Sequence, residues 1–225
     1  EMIANIAHQW RQPLSIISTS ATGIKIQKEM GVLDDISEIK ALETINENAQ
    51  YLSNTIEDFR DFFKKSKIKS FVNLDNLLEK TLKLILTRLK NKEITIIKSN
   101  LHIEFETYER EMIQVFMNII NNSIDAFENK NYDKFIFFET EKFENKIVIK
   151  IKDNAGGIDE NILNRIFEPY FTTKESKQGT GIGLYMCNEI IVKHLNGKII
   201  VSNESFENKK KKCIGSQFII ELPTI

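Results

Sequence analysis

Cysteine is almost missing from this chain. Cys187 and Cys213 are the two it has, too few and too far apart for a disulfide framework or a metal site, and each reads as an ordinary buried or loop residue. That usage suits a reducing cytosol. An excess of charge of one sign is missing too: 31 Lys and Arg stand against 32 Asp and Glu, so charge balance points to neither nucleic acid nor a membrane surface as partner. No apolar run approaches the roughly 20 residues of a membrane span, and no signal peptide is visible. The expectation is a cytoplasmic segment without membrane contact. At 225 residues, 41% of them hydrophobic, the chain can build one large domain or two small ones.

What is present begins with helical periodicity. Ile3, Trp10, Ile17 and Ile24 fall in one heptad column with Ala7, Leu14 and Ala21 beside it, the apolar stripe of a bundle helix running to about residue 30. His8 lies off that stripe, where an exposed imidazole offers a nitrogen lone pair to an incoming electrophile. Pro13 cannot donate to the carbonyl of Gln9, which predicts an irregularity next to the histidine. Gly31, Asp34 and Asp35 supply a stop and a turn. A second helix follows, with Ile36, Ile39, Leu42, Ile45, Ala49, Leu52, Ile56, Phe59 and Phe63 advancing by threes and fours. Two such helices form an antiparallel hairpin whose stripes, led by Ile17, Ile24, Ile45, Leu52 and Ile56, lack sufficient cover. Pairing two hairpins into a four-helix bundle covers them, so a homodimer is expected.

The basic stretch Lys64 to Lys69 reads as a linker, dividing residues 1–66 from residues 67–225. Beyond it the period changes. A short strand at Ile68 to Val72, a helix from Leu74 to Leu89, a strand from Glu93 to Lys98 and a long helix from Tyr108 to Phe127 are expected. Strands near Phe135 to Glu139 and Lys146 to Asp153, a helix near Cys187 to His194, and strands at Lys198 to Asn203 and Gln217 to Leu222 complete the chain. The Lys209 to Lys212 run reads as a solvated hairpin loop. Helices and strands without strict alternation predict an α+β sandwich.

Three separated segments of this second half carry chemistry. Asn118 and Asn122 share a helix face, where amide oxygens can complete the shell of a Mg2+ ion bound chiefly to phosphate. Asp153-Asn154-Ala155-Gly156-Gly157-Ile158 ends an apolar strand with an acceptor for an adenine amino group and glycines that let backbone approach a ligand. Gly179-Thr180-Gly181-Ile182-Gly183-Leu184 enters a helix, aiming backbone N–H groups at phosphate oxygens.

In order and spacing these segments resemble the N-box, G1 box and G2 box of the histidine kinase and gyrase-type ATPase superfamily, and Ile166 to Lys174 resembles its F-box. His8-Gln-x-Arg-Gln-Pro13-Leu14 resembles the phospho-accepting H-box of sensor histidine kinases, with Gln9 where the family has Glu or Asp and Gln12 where it has Thr or Asn. The resemblance implies a dimerisation and histidine-phosphotransfer hairpin followed by an ATP-binding domain of the GHKL type. It implies His8 as nucleophile, Gln9 and Gln12 as its assistants, Asn122 as Mg2+ ligand, Asn118 as its helper and Asp153 as adenine reader. Gly157, Gly179, Gly181 and Gly183 become loop glycines, Lys174 and Thr180 nucleotide contacts, and residues 167–180 a mobile lid. Ala155 replaces the first glycine of the usual Asp-x-Gly-x-Gly. The implied partners are ATP, Mg2+, a second copy of the chain, a response regulator receiver domain, and an upstream sensor domain not contained here. Phosphoryl transfer from ATP to His8 and on to an aspartate of the regulator is the implied reaction, with phosphatase activity toward the regulator beside it. Two alternatives are an ATP-hydrolysing clamp and a catalytically inactive dimeric scaffold. The clamp needs a carboxylate where Asn118 stands.

Overall fold

The computed structural model of the chain describes residues 2–63, 68–174, 181–208 and 211–224, and it gives no side-chain placement for residues 2–9, 12 and 54–63. It divides into two units, residues 1–64 with 172–180 and residues 65–171 with 181–225. Among the described residues no helix is long and apolar enough to cross a membrane.

The first unit is a helical hairpin of α1 (Met2–Glu29) and α2 (Asp35–Phe63). The helix is assigned without interruption through Pro13, so the expected irregularity does not break α1. Gly31, at φ +71°, ends it: the Gly31 N–H donates to Lys28 O (3.2 Å) and the Val32 N–H to Gln27 O (3.0 Å), the crossed pair that satisfies the last carbonyls of a helix. Asp34 then caps α2 by accepting from the Ser37 N–H at 2.9 Å. Hence Gly31 and Asp34 set both the stop and the restart.

In the second unit, β1 (Ser70–Asn73) leads into α3 (Leu74–Asn91), where Asn73 accepts from the Asn76 N–H. Strand β2 (Ile94–Ser99), strand β3 (Glu104–Thr107), helix α4 (Glu109–Ala126), and strands β4 (Lys134–Lys142) and β5 (Lys146–Asp153) follow. Helix α5 (Gly183–Asn188) continues into a π-helical turn, Glu189–His194, and β6 (Lys198–Asn208) and β7 (Lys211–Pro223) form the last hairpin. The helix expected near Cys187 thus begins at Gly183. The expected Lys209–Lys212 loop is shorter than that run, since Lys211 and Lys212 belong to β7 and residues 209–210 lie outside the description.

Five of these strands form a mixed sheet in the order β2-β4-β5-β7-β6, with β2 parallel to β4 and the other pairs antiparallel, while β1 and β3 pair separately. Strict alternation puts Ile136, Phe138, Ile147, Ile149, Ile151, Phe218 and Ile220 on one face, and that face packs into one core with Leu77, Leu78 and Ile85 of α3 and Val115, Phe116 and Ile119 of α4. Each such side chain contributes about 1.5–3 kcal/mol on full burial. The architecture is the expected α+β sandwich. Beyond Gln217 and Ser202 the β6–β7 hairpin outruns β5, so Asn203–Asn208 and Lys211–Ser216 pair only with each other as a projecting arm.

Candidate functional site

The site is built where α4, the end of β5 and the start of α5 meet. The polar residues of α4 divide by face, as a helical period requires. Asn121 and Asp125 turn toward α3, where Arg88 donates to both, at 2.6 and 2.7 Å. Asn118 turns toward α5 and donates through Nδ2 to the carbonyl of Gly183, at 3.0 Å. Asn122 lies one turn beyond Asn118 on the same side, and Ser123 points inward to the sheet. Further along the α4–α5 interface, the Cys187 thiol contacts the Val115 carbonyl at 3.7 Å, and His194 Nδ1 lies 3.1 Å from a Glu111 carboxylate oxygen. Complete burial pushes the Cys187 thiol up to about 12, so it serves as packing and not as a nucleophile.

Asp153 is 2% exposed, and a buried carboxylate must be paid in hydrogen bonds. One oxygen accepts from the Ser123 hydroxyl (2.9 Å) and the Ser216 hydroxyl (2.7 Å). The other accepts from the Ala155 N–H (2.9 Å) and the Ser216 N–H (3.1 Å). Four donors from α4, β7 and the following turn therefore fix the acid at the strand end. Ala155, at the place of the missing glycine, is buried with the core.

The turn after Asp153 is held from the projecting arm. The Gly156 N–H donates to Ile214 O (2.9 Å), and Gly156 and Gly157 have φ of +104° and +82°. Gly181, at φ +65°, lies against the Tyr170 backbone, and the Tyr170 N–H donates to Gly181 O (2.9 Å). Gly183 meets only ordinary contact at Asn118, so it contributes as the first residue of α5 and not through a crowded backbone. Of the expected lid, Phe167 and Phe171 are partly buried, Phe167 meeting Phe218 edge to face at 6.5 Å and Arg165 stacking on Phe171 at 4.6 Å, while Glu168 and Pro169 are exposed. Gly179 and Thr180 lie outside the described residues, as do the side chains of His8, Gln9 and Gln12. Lys174 has its N–H on the Thr172 hydroxyl, at 3.1 Å.

The geometry thus brings together Asn118, Asn122, Asp153, Gly157, Gly181 and Gly183. It adds Ser123, Ser216 and Gly215, which the sequence reading passed over. A Cβ on Gly215 would lie 1.8 Å from the carbonyl oxygen of Asp153. Among the described residues no group of three or more His, Cys, Asp or Glu could hold a metal ion. The amide oxygens of α4 fit instead an ion carried mainly by phosphate and water, as Mg2+ is.

Comparison with known proteins agrees with this geometry. Residues 107–225 match the family described as histidine kinase-, DNA gyrase B-, and HSP90-like ATPase. Residues 1–67 match the His Kinase A (phospho-acceptor) domain. The chain is 29% identical over 223 residues to the tetrathionate sensor histidine kinase TtrS of Salmonella typhimurium, a match covering 91% of this chain and 34% of that one. It is 30% identical over 200 residues to the signal transduction histidine-protein kinase AtoS of Escherichia coli, covering 86% and 31%. A solved structure of histidine kinase ThkA in complex with response regulator protein TrrA is 25% identical, with a TM-score of 0.70, over 100% of this chain and 61% of that one. The chain spans about a third of the length of these two curated relatives.

Proposed function

The chain belongs to the histidine kinase-, gyrase B- and HSP90-like ATPases, joined to a histidine kinase phospho-acceptor domain, and from that premise we propose that it phosphorylates itself on His8 from ATP. The phosphoryl group then passes to an aspartate in the receiver domain of a response regulator. The observation that carries this reading is the buried, four-donor Asp153 carboxylate beside a glycine turn, with the start of α5 joined to α4 through Asn118. Such an arrangement suits an adenine amino group at one end and phosphates at the other.

In this reading a nitrogen of His8 forms a bond to the γ-phosphorus while the bond to the ADP oxygen breaks. Phosphoryl transfer asks mostly for positioning and charge neutralisation. Asn122 would hold Mg2+, which supplies charge neutralisation at the phosphates when bound. Gln9 orients the imidazole, Gln12 orients water for dephosphorylation, Lys174 and Thr180 contact nucleotide, and Gly179 and Gly181 flank the phosphates. We place the border of the phosphotransfer hairpin at 66/67, the dimer interface on the hairpin and a sensor domain upstream. Use of ATP and of a response regulator assigns this segment to the cytoplasm.

The test is incubation of the chain with γ-labelled ATP and Mg2+, followed by acid and base treatment of the labelled protein. Label lost in acid, kept in base and absent from His8→Gln is the expected result. Acid-stable label, or equal labelling of His8→Gln, would overturn the assignment.

A further inference from the structure

The turn between Asp153 and Ile158 is gripped by a residue that belongs to none of the four boxes. Asn203 stands on β6 where the projecting arm leaves the sheet, opposite Ser216 in the register. Its side-chain amide pairs with the backbone of Ile158 in both directions: the Ile158 N–H donates to Asn203 Oδ1 at 2.8 Å, and Asn203 Nδ2 donates to Ile158 O at 2.7 Å. A planar amide that bonds both the N–H and the C=O of one residue copies one rung of a β-ladder, and it fixes the two peptide groups on either side of Ile158. The approach is close enough to involve the preceding residue. A Cβ on Gly157 would lie 2.6 Å from Asn203 Oδ1, so the amide occupies space that any other residue at 157 would take.

We infer that Asn203 is a positioning residue for the nucleotide site, which acts by setting the Gly156-Gly157-Ile158 turn against the acid at the end of β5. Three hydrogen bonds tie this turn to the arm: Asn203 accepts one from the Ile158 N–H and donates one to Ile158 O, and the Gly156 N–H donates to Ile214 O. The same arm carries Ser216, whose N–H and hydroxyl hold Asp153. Turn and acid are thereby referred to one hairpin, and Asn203 is the connection on the turn side. The inference rests on the reading of this region as a nucleotide site, and it extends that reading to a strand outside the motifs.

The experiment measures ADP binding without Mg2+ by calorimetry, together with the ATP dependence of autophosphorylation, in the full chain, Asn203→Ala and Asn203→Asp. Omitting Mg2+ keeps Asn122 out of the result. Asn203→Ala removes both bonds, and its ADP affinity is expected to fall about tenfold. KM for ATP should rise alike while kcat at saturating ATP changes less than twofold. Asn203→Asp keeps the acceptor for the Ile158 N–H but sets a carboxylate against the Ile158 carbonyl, so it should bind ADP no better than the alanine variant although it fills the same space. Absence of ADP binding in the parent would remove the nucleotide reading itself. Binding by the parent with unchanged affinity in both variants would overturn the role of Asn203 alone. A loss of kcat with KM unchanged would also overturn it, since a residue that merely supports the fold lowers the amount of active protein and gives that pattern.

Discussion

At the scale of single residues, the site depends on what surrounds Asp153. A carboxylate offers about four lone-pair positions, and here the two serine hydroxyls and two backbone N–H groups engage the acid before any ligand arrives. A hydroxyl can rotate where a peptide N–H cannot, so on the proposed reading a base amino group would take the place of the Ser123 or Ser216 hydroxyl on this acid. Gly215 lets β7 lie close against the end of β5. Gly215→Ala would force β7 from the end of β5, because the added carbon would sit 1.8 Å from the Asp153 carbonyl oxygen. The expected cost is about 1–3 kcal/mol in urea unfolding together with loss of ADP binding, and an alanine variant as stable and as tight as the parent would remove Gly215 from the site. Gln9 poses a different question. A glutamine oxygen can accept a hydrogen bond from the imidazole and hold its tautomer, but it cannot take its proton. Gln9→Glu should raise the initial labelling rate and Gln9→Ala should lower it, each by less than the roughly 10²–10⁴-fold of a general base. Equal rates for all three forms at saturating ATP would show that Gln9 neither orients nor assists.

At the scale of elements, the legible parts were those with a period. Both hairpin helices, α3, α4 and β5 are legible within a few residues, since each carries an apolar stripe or alternation that repeats several times. Strand β3 has little sequence signal because Glu104-Phe105-Glu106-Thr107 offers just two inward positions, and pairing with β1 makes it a strand. The projecting arm was cut short for a similar reason: Lys211, Lys212 and Cys213 look like loop residues, and only the partner strand makes them ladder residues. Asn203, Ser216 and Gly215 carry no local signal at all. Their roles arise from neighbours brought by the register. The turn between α1 and α2, by contrast, was readable and is testable. The Ser37 hydroxyl, at 2.6 Å, and then the Ser37 N–H hold the Asp34 carboxyl below its ordinary range. A group whose pKa is lowered on folding adds stability above its unfolded pKa, and that stability is lost as pH falls through the folded value. Asp34→Asn keeps the cap without the charge, so thermal unfolding followed by circular dichroism should show a smaller drop from pH 7 to pH 3 than in the parent. Asp34→Ala should be less stable than either at pH 7. An unchanged pH dependence in the asparagine variant would exclude this carboxylate as a contributor.

At the scale of the whole molecule, the two units differ in how well they hide their apolar residues. The second unit buries Phe116, Phe127, Phe138 and a dozen aliphatic side chains almost completely. In the hairpin, Ile17, Ile24, Ile45 and Leu52 are only half-buried, and Ile36 (80% exposed), Ile39 (57%) and Leu42 (51%) are open, with Leu14, Ile16 and Ile26. Two helices cannot enclose a stripe this wide. A second hairpin can, and covering these side chains at about 1.5–3 kcal/mol for each one fully buried outweighs an association cost of about 4–15 kcal/mol. The homodimer proposed here therefore follows from uncovered area and not from any single contact. Replacing Ile39 and Leu42 together by lysine should yield a monomer at micromolar concentration by light scattering, while the parent runs as a dimer. Asp153, Asn118 and Asn203 all lie in the other unit, so the part of the ADP affinity that they supply should persist in the monomeric variant. Labelling of His8 should fall, because the helix that carries it loses its bundle. A parent that is monomeric would remove the dimer. A lysine variant that is monomeric yet labels as fast as the parent would instead separate phosphoryl transfer from the bundle, and a single hairpin would then be enough to present the histidine.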